Sequence, residues 1–478
     1  MRIVLCVTPE FYSEAPPLGL AYLKASLCRE GHFVKCLNFS AENNILNCSS
    51  EGLVSTVKEY AEKNTETISD WVEKIAALKP DIVGVTLWTS TRSASCALAA
   101  ALKMRFQKIL VIGGGPDVVG ERLDEYLRYF DLIVEQEGEE AVVKLVGEYQ
   151  TNSSVTETKG VWSLKAGRAH LTAPSERIKD LDTLPIPDFS DFDICSYQEG
   201  FSVMFSRGCN ANCTFCLAKK YFSNQLSRKG LSVFQEVKIQ AQRMGCSKFI
   251  FADDSLISAA TFKEFELFCD KLLEEKLNLE WRIYGLRVTP LFNEAYVKKM
   301  AAAGLKKVTF GVESFSENVR KDMGKVASDA ITEQNLRLFL DHGIEIDLLM
   351  IYGYPNETDE DFGKTLKKIQ KEGHRFHSIC FNCFGIHLNY HKRRPGVLHF
   401  EGDIWHPYKW YSDAVDLPKR KERFLKLVEV LDARGKVYRI YEPCFKRGFS
   451  SWNSQLKETL LKEWKTLENE ALRSSSQI

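Results

Sequence analysis

Three cysteines, Cys209, Cys213 and Cys216, stand within eight residues in the spacing C-x3-C-x2-C. They follow an apolar run over residues 201–205 that reads as a strand, and Gly208 lets the chain turn sharply beyond it. Small and polar residues fill the gaps, which suits a loop that wraps around something. Three thiolates this close can ligate three irons of a [4Fe–4S] cluster and leave the fourth iron open to a small molecule. Zinc sites more often use four ligands, commonly as two close pairs. A zinc site, and a disulfide with one spare thiol, are the other readings of this spacing.

The elements before this loop alternate. Residues 2–8 read as a buried parallel strand, and a helix follows over 18–30 behind Pro16 and Pro17. Further strands are expected at 32–39, 81–87, 109–112 and 131–134, with helices at 67–78, 93–106 and 139–149. That order argues a doubly wound, Rossmann-like parallel sheet over residues 1–150. Ligands of such sheets bind beyond the carboxyl ends of the strands. Gly113-Gly114-Gly115-Pro116 lies at one such end, where backbone without Cβ atoms can approach a ligand. It is not the G-x-G-x-x-G of a nucleotide site, and a plain tight turn is the simpler reading of it.

Residues 151–195 read as a linker. They hold a small hairpin around Ala166-Gly167-Arg168 and an extended connector with Pro185 and Pro187, expected to lie along the surface. From residue 201 strands and helices alternate again. Six strands are expected, at 201–205, 248–252, 280–284, 307–310, 346–352 and 378–384. This is what a partial (β/α)6 TIM barrel over 196–400 requires, and polar groups at its strand ends point at the reaction. Asp253 and Asp254 end the second strand and can accept hydrogen bonds from an ammonium or a ribose. Arg287 follows the third and could hold a carboxylate. Glu313 and Ser314 follow the fourth, and the turn at Gly353 follows the fifth. The plainer account of Asp254, Ser314 and Thr358 is helix capping.

Taken together, these motifs resemble radical S-adenosylmethionine (SAM) enzymes with an N-terminal cobalamin-binding domain. The cysteine loop, with Phe215 just before its last cysteine, is similar to the radical SAM signature. Pro16 to Leu23, the glycine loop and Glu137-Gly138-Glu139, in that order before it, resemble the cobalamin-binding domain. The resemblance implies a [4Fe–4S] cluster on Cys209, Cys213 and Cys216. It implies SAM held by Phe215, Asp253, Asp254, Arg287, Glu313, Ser314 and Gly353. It implies cobalamin held by Leu18, Gly19, Thr86, Thr89, Gly113, Gly114, Gly115, Pro116, Glu137 and Gly138. Asp253-Asp254 replaces the Gly-Gly-Glu of many radical SAM enzymes, as it often does in cobalamin-type members. The D-x-H-x-x-G of histidine-ligated cobalamin proteins is missing, because residues 9–14 read Pro-Glu-Phe-Tyr-Ser-Glu and His32 alone is histidine before residue 150. Cobalt without a histidine below it is usual in radical SAM methylases, and the same absence fits a degenerate domain that binds no corrin.

The implied activity is reductive cleavage of SAM to a 5′-deoxyadenosyl radical, with methyl transfer through methylcobalamin to an unactivated carbon. Cyclisation, rearrangement or oxidation without methylation is the alternative with the same cofactors. A sensor without turnover is the alternative from another class. The substrate would be a small molecule or peptide, and the electron donor a protein such as flavodoxin or ferredoxin.

Composition bounds the rest. Lys+Arg and Asp+Glu both total 64, so no global basic field calls for nucleic acid, and Lys392 to Arg394 read as a solvated loop. No apolar run is long enough to span a membrane. Fourteen cysteines and no export-signal layout fit a reducing cytoplasm. Cys380 and Cys383 alternate on the sixth strand, so they face opposite sides and share no metal; they and Cys444 could serve as hydrogen donors or as inert thiols. Residues 401–478 form a C-terminal region, mostly helical, with helices at 420–434 and 454–472. Its aromatics, among them Trp405 and Trp410, either roof a cavity or cap the barrel.

Overall fold

A computed structural model describes residues 1–9, 14–39, 53–88, 90–118, 123–216, 218–222, 224–385, 396–400, 410–432, 438–442 and 447–449. The chain divides into two compact units, residues 1–209 with 220–282, and residues 210–219 with 283–478.

The first unit opens with β1 (Arg2–Val7), α1 (Leu18–Arg29) and β2 (Phe33–Asn38). Helices α2 (Leu53–Lys63) and α3 (Thr65–Ala77) lead to β3 (Ile82–Thr86), α4 (Arg92–Arg105) and β4 (Leu110–Gly114). Then come α5 (Leu123–Tyr126), β5 (Leu132–Val134), α6 (Gly138–Asn152), β6 (Val161–Lys165) and β7 (Arg168–Leu171). The sheet order is β2-β1-β3-β4-β5-β6-β7. Strands β1 to β5 are parallel, and the hairpin β6–β7 continues the sheet antiparallel. The strands are apolar runs because helices cover both faces. β1 has neighbours on both sides, β2 and β3, so the order reverses there. Sheets of this order bind ligands at that reversal. Helix α2 was not expected from the sequence; its amphipathic face packs Val57 and Tyr60 against the same core as α3 and α4.

The linker is anchored rather than laid on the surface. Leu181 and Phe189 are buried, and Asp191 binds Lys24 at 2.8 Å and Lys35 at 2.5 Å. Two apolar side chains and a paired carboxylate hold a segment that its prolines alone would leave extended in solvent.

Still in the first unit, β8 (Phe201–Val203) pairs parallel with β11 (Lys248–Phe251), and β9 (Ser206–Arg207) pairs antiparallel with β10 (Leu226–Ser227). After a single helical turn, α7 (Ala218–Tyr221), helices α8 (Gly230–Met244) and α9 (Phe262–Glu274) pack on them. Phe205, Phe249, Phe251, Phe265, Phe268 and Trp281 form one aromatic core; Phe205 and Phe265 stand 5.3 Å apart and edge-on. Edge-to-face rings fix geometry as well as burying area.

Strand β12 (Glu280–Arg287) begins in the first unit and ends in the second. The second unit continues with α10 (Glu294–Ala302), β13 (Leu305–Glu313), α11 (Glu317–Asp322), α12 (Asp329–Asp341), β14 (Glu345–Tyr352), α13 (Asp359–Glu372) and β15 (Ser378–Cys383). β13, β14 and β15 are parallel neighbours, so all six expected strands are present in chain order. A further strand, β18 (Tyr438–Glu442), pairs parallel with β15 and carries the antiparallel β19 (Arg447–Phe449). Two short strands, β16 (His399–Phe400) and β17 (Trp410–Tyr411), and the helix Leu417–Asp432 precede it. The expected helix at 454–472, with Trp405, Cys444 and Lys392 to Arg394, lies outside the described residues. The molecule is an α/β protein: a Rossmann-like doubly wound sheet, then a partial (β/α)6 barrel with helical C-terminal additions. No helix of the described residues is long and apolar enough to cross a membrane.

Candidate active site

The cysteine loop starts where β9 ends. Cys209 and Cys213 are buried and Cys216 is half-buried. Gly208 has φ +89°, and a Cβ there would meet the Asn224 carbonyl oxygen at 2.6 Å, so only glycine turns the chain at this point. Ahead of it, Asp253 accepts from the Ser206 backbone N–H, from the Ser206 hydroxyl at 2.8 Å and from the Phe205 N–H at 3.3 Å. Asp254 accepts from the Gly208 N–H at 3.2 Å. The acidic pair therefore faces the backbone that leads into the loop. Burial pushes the carboxyl of Asp253 up to about 7, against the lowering effect of those donors, and burial also raises that of Asp254.

Within the second unit, the Thr214 N–H donates to the Met323 carbonyl at 2.9 Å, and its hydroxyl lies 3.0 Å from that of Tyr354. Phe215 packs on an apolar cluster of Val319, Met323, Ile351, Tyr354, Phe384 and Trp410. Arg287 Nη1 donates to Cys213 Sγ at 2.8 Å, and the Ala218 N–H donates to Cys216 Sγ at 3.4 Å. Arg287 thus points at a thiol, whereas the sequence suggested a carboxylate partner.

The other expected strand-end groups are occupied locally. Glu313 sits at φ +67° in a β-bulge between β13 and β14 and pairs with Lys325 at 2.9 Å. Ser314 is buried beside the Thr365 hydroxyl at 3.3 Å and accepts from the Ser316 N–H at 3.1 Å. Capping accounts for Thr358, which forms a capping box with Asp361 at the start of α13. It does not account for Asp254 or Ser314; Ser316 stands at the N-cap of α11. Gly353 has φ +70°, and the stem of Arg420 from the C-terminal helix passes 2.9 Å from where its Cβ would be.

At the other expected site, the carboxyl ends of β1, β3 and β4 carry small and hydroxyl side chains. The hydroxyls of Thr8 and Ser95 stand 2.8 Å apart, and Ser95 donates to the Thr86 carbonyl at 2.8 Å. Leu18 and Gly19 open α1, and Thr89 lies outside the described residues. The three glycines differ. A Cβ on Gly113 would strike Ile133 at 2.6 Å, and one on Gly115, at φ +133°, would strike the Leu87 carbonyl at 2.6 Å. One on Gly114 would meet nothing nearer than 3.4 Å, and one on Gly19 nothing within 4 Å. Packing explains Gly113 and Gly115; it leaves Gly114 and Gly19 open for close approach by a ligand. His32 sits just before β2, at the amino end of the sheet, with its Nδ1 3.3 Å from the Met1 nitrogen. It stands at the wrong end of the strands to reach a ligand at their carboxyl ends.

Family comparison bears on both sites. The model of the Radical SAM superfamily matches residues 203–369, and that of the B12 binding domain matches residues 4–146. The chain belongs to the radical SAM family with an N-terminal B12-binding domain. It is an enzyme of that family, and its cofactors are a [4Fe–4S] cluster, SAM and cobalamin. It is 29% identical to an uncharacterized methyltransferase of Pyrococcus horikoshii, over 74% of this chain and 73% of the relative. It is also 29% identical to the anaerobic magnesium-protoporphyrin IX monomethyl ester cyclase of Rubrivivax gelatinosus, over 76% of this chain and 65% of that one. The radical SAM methyltransferase TsrM from Kitasatospora setae, solved with cobalamin and a [4Fe–4S] cluster bound, shares the fold with a TM-score of 0.63 at 16% identity. That likeness covers 88% of this chain and 85% of TsrM.

The residues of this radical SAM enzyme fit those cofactors. Three thiols stand on an irregular loop, and N–H donors aim at the sulfurs of Cys213 and Cys216, which suits thiolates bound to iron. Among the described residues no three His, Cys, Asp or Glu side chains converge as they would around a single ion. A cube holds its ligands at separate corners and needs no such convergence. For the corrin, the open Gly114 and Gly19 are backbone that a flat ligand can reach.

Sequence reasoning missed Arg207, which ties the glutamates of the Glu137-Gly138-Glu139 motif to the cysteine loop at 2.7 Å each. It also missed Tyr221, whose hydroxyl donates to the Pro116 carbonyl of the glycine loop. Neither residue carries a signal in isolation. An arginine two residues before a cysteine and a doublet of acids elsewhere only become meaningful as a pair. Cys383 is buried and Cys380 half-buried on β15, as alternation requires.

Proposed function

We propose that the chain is a cobalamin-dependent methyltransferase acting on an unactivated carbon of a small molecule or peptide. The observation that carries this reading is the open glycine Gly114 at the carboxyl ends of the parallel strands, in a B12-binding region, residues 4–146, whose one histidine, His32, lies at their amino ends. When bound, the reduced cluster and SAM supply a 5′-deoxyadenosyl radical, and the corrin supplies the methyl group. Cys209, Cys213 and Cys216 hold the cluster. Phe215, Asp254, Arg287, Glu313, Ser314 and Gly353 line SAM, with Asp253 fixing the strand that enters the loop. Leu18, Gly19, Thr86, Thr89, the stretch Gly113 to Pro116, Glu137 and Gly138 line the corrin. In this reading residues 1–150 bind cobalamin, 151–195 link, 196–400 form the barrel and 401–478 cap it or meet substrate. A flavodoxin or ferredoxin delivers the electron, in the cytoplasm, where thiols stay reduced.

Anaerobic protein rebuilt with iron, sulfide and hydroxocobalamin, then given SAM, reductant and candidate substrates, tests this. We expect S-adenosylhomocysteine and 5′-deoxyadenosine in equal amounts, with a methylated product. A second reading, ring formation or oxidation without methylation, draws support from the likeness to the Rubrivivax gelatinosus cyclase. Deoxyadenosine without S-adenosylhomocysteine would select it. Neither product would sink both.

A further inference from the structure

We infer that Arg287 sets the reduction potential of the cluster through the sulfur of Cys213. This rests on the cluster assignment above and goes beyond it. The guanidinium reaches the thiol of Cys213, with Nη1 2.8 Å from Sγ. The local fold aims it there. Ile283 and Leu286 on β12 are both fully buried, although three residues apart in a strand they should face opposite ways. Gly285 between them has φ +81°, which shifts the alternation by one residue. Leu286 then enters the core, and Arg287 leaves on the opposite face, towards Cys213. Cys213 is itself held, since Thr214 is tied to Met323 and Gly324 packs against the Asn212 carbonyl, where a Cβ would stand 2.8 Å away. Arginine and thiolate are therefore fixed relative to each other by two separate pieces of backbone.

A hydrogen bond and a positive charge on a cluster thiolate draw electron density from the iron–sulfur bond. They stabilise the reduced cube, which carries one more negative charge, over the oxidised one. A radical SAM cluster must be reduced before it can cleave SAM, so a donor at this sulfur makes that electron easier to deliver. Towards the cluster, Arg287 is then a positioning residue that acts through Cys213, separately from its place beside SAM.

The test is a mediated potentiometric titration of the rebuilt holoenzyme, followed by electron paramagnetic resonance, without SAM, so that any contact of Arg287 with SAM contributes nothing. Iron and sulfide are counted first. For R287M with a full cube, the ratio of reduced to oxidised cluster at the wild-type midpoint should fall roughly tenfold, about 59 mV for one electron. R287K, which keeps a charge and N–H donors, should stay closer to wild type than R287M. A full cube in R287M at the wild-type midpoint overturns the inference. So does failure of both variants to hold iron, since Arg287 would then assemble the loop without tuning it. Absence of a cube in the wild type would instead remove the functional reading itself.

Discussion

Arg207, half-buried, lies 2.7 Å from Glu137 and 2.7 Å from Glu139, both of them buried. Arg207 is two residues before Cys209, and the glutamates start α6 of the B12-binding sheet. Glu137 also accepts from the Ile178 N–H of the linker at 2.8 Å, and Arg177 donates to the Arg207 carbonyl at 2.9 Å. One charge network thus joins the end of the corrin sheet, the linker and the strand entering the cysteine loop, all inside one compact unit. R207M should lower stability by about 3–5 kcal/mol, because it strands two buried carboxylates. Adding E137Q and E139Q should recover part of that loss. Anaerobic urea unfolding measures both, and additive losses would show that the three do not act as a network.

The glycine loop separates packing from binding. G113A should lose about 1–3 kcal/mol of stability, since its Cβ meets Ile133. G114A should keep its stability to within about 1 kcal/mol, because its Cβ finds room. If a corrin approaches this backbone, G114A should nevertheless bind hydroxocobalamin several-fold more weakly. Equal affinity in a titration followed by visible absorbance would refute a contact at Gly114.

Asp253 gives a pH dependence. Its folded carboxyl is raised to about 7, chiefly by burial, above the usual unfolded value near 3.9. Between these values the folded chain keeps a proton that the unfolded chain has lost. Stability therefore falls as pH rises through roughly 4 to 7 and levels off above, by an amount on the order of 2–4 kcal/mol. D253N should flatten the slope. Unfolding midpoints at pH 5.5, 6.5 and 8 would reveal it, and an equal slope in both proteins would assign the dependence to other groups.

Trp410 belongs to the apolar cluster that carries Phe215, with Phe384 edge-on at 5.6 Å and Arg420 4.2 Å above its ring. W410A should cost about 3–5 kcal/mol and loosen Phe215 beside Cys216. Weaker SAM binding by calorimetry, with W410F close to wild type, is expected. Unchanged SAM affinity in W410A would separate this core from the SAM site.

Several features were legible without coordinates because they depend on spacing alone. Three thiols at C-x3-C-x2-C share one loop whatever surrounds them, and Gly208 is required by a turn that the ending strand already demands. The period of apolar residues gave the parallel strands of both sheets and the hairpin at Ala166-Gly167. It did not give α2, which follows a polar stretch, nor β18, which is a strand by virtue of its partner β15. The separate roles of the carboxylates were equally out of reach. Asp253 and Asp254 are neighbours in sequence, yet one braces Ser206 and the other Gly208.

The residues alone therefore determined which atoms can hold iron, and in what order the strands and helices that carry them occur, since both follow from local chemistry. Only the tertiary structure decided which charge meets which. Arg287 against Cys213, and Arg207 between Glu137 and Glu139, join positions 68 to 74 residues apart. An ion pair or a hydrogen bond to sulfur leaves no periodic trace in a sequence; it exists once packing has brought the partners within about 3 Å and removed the water between them.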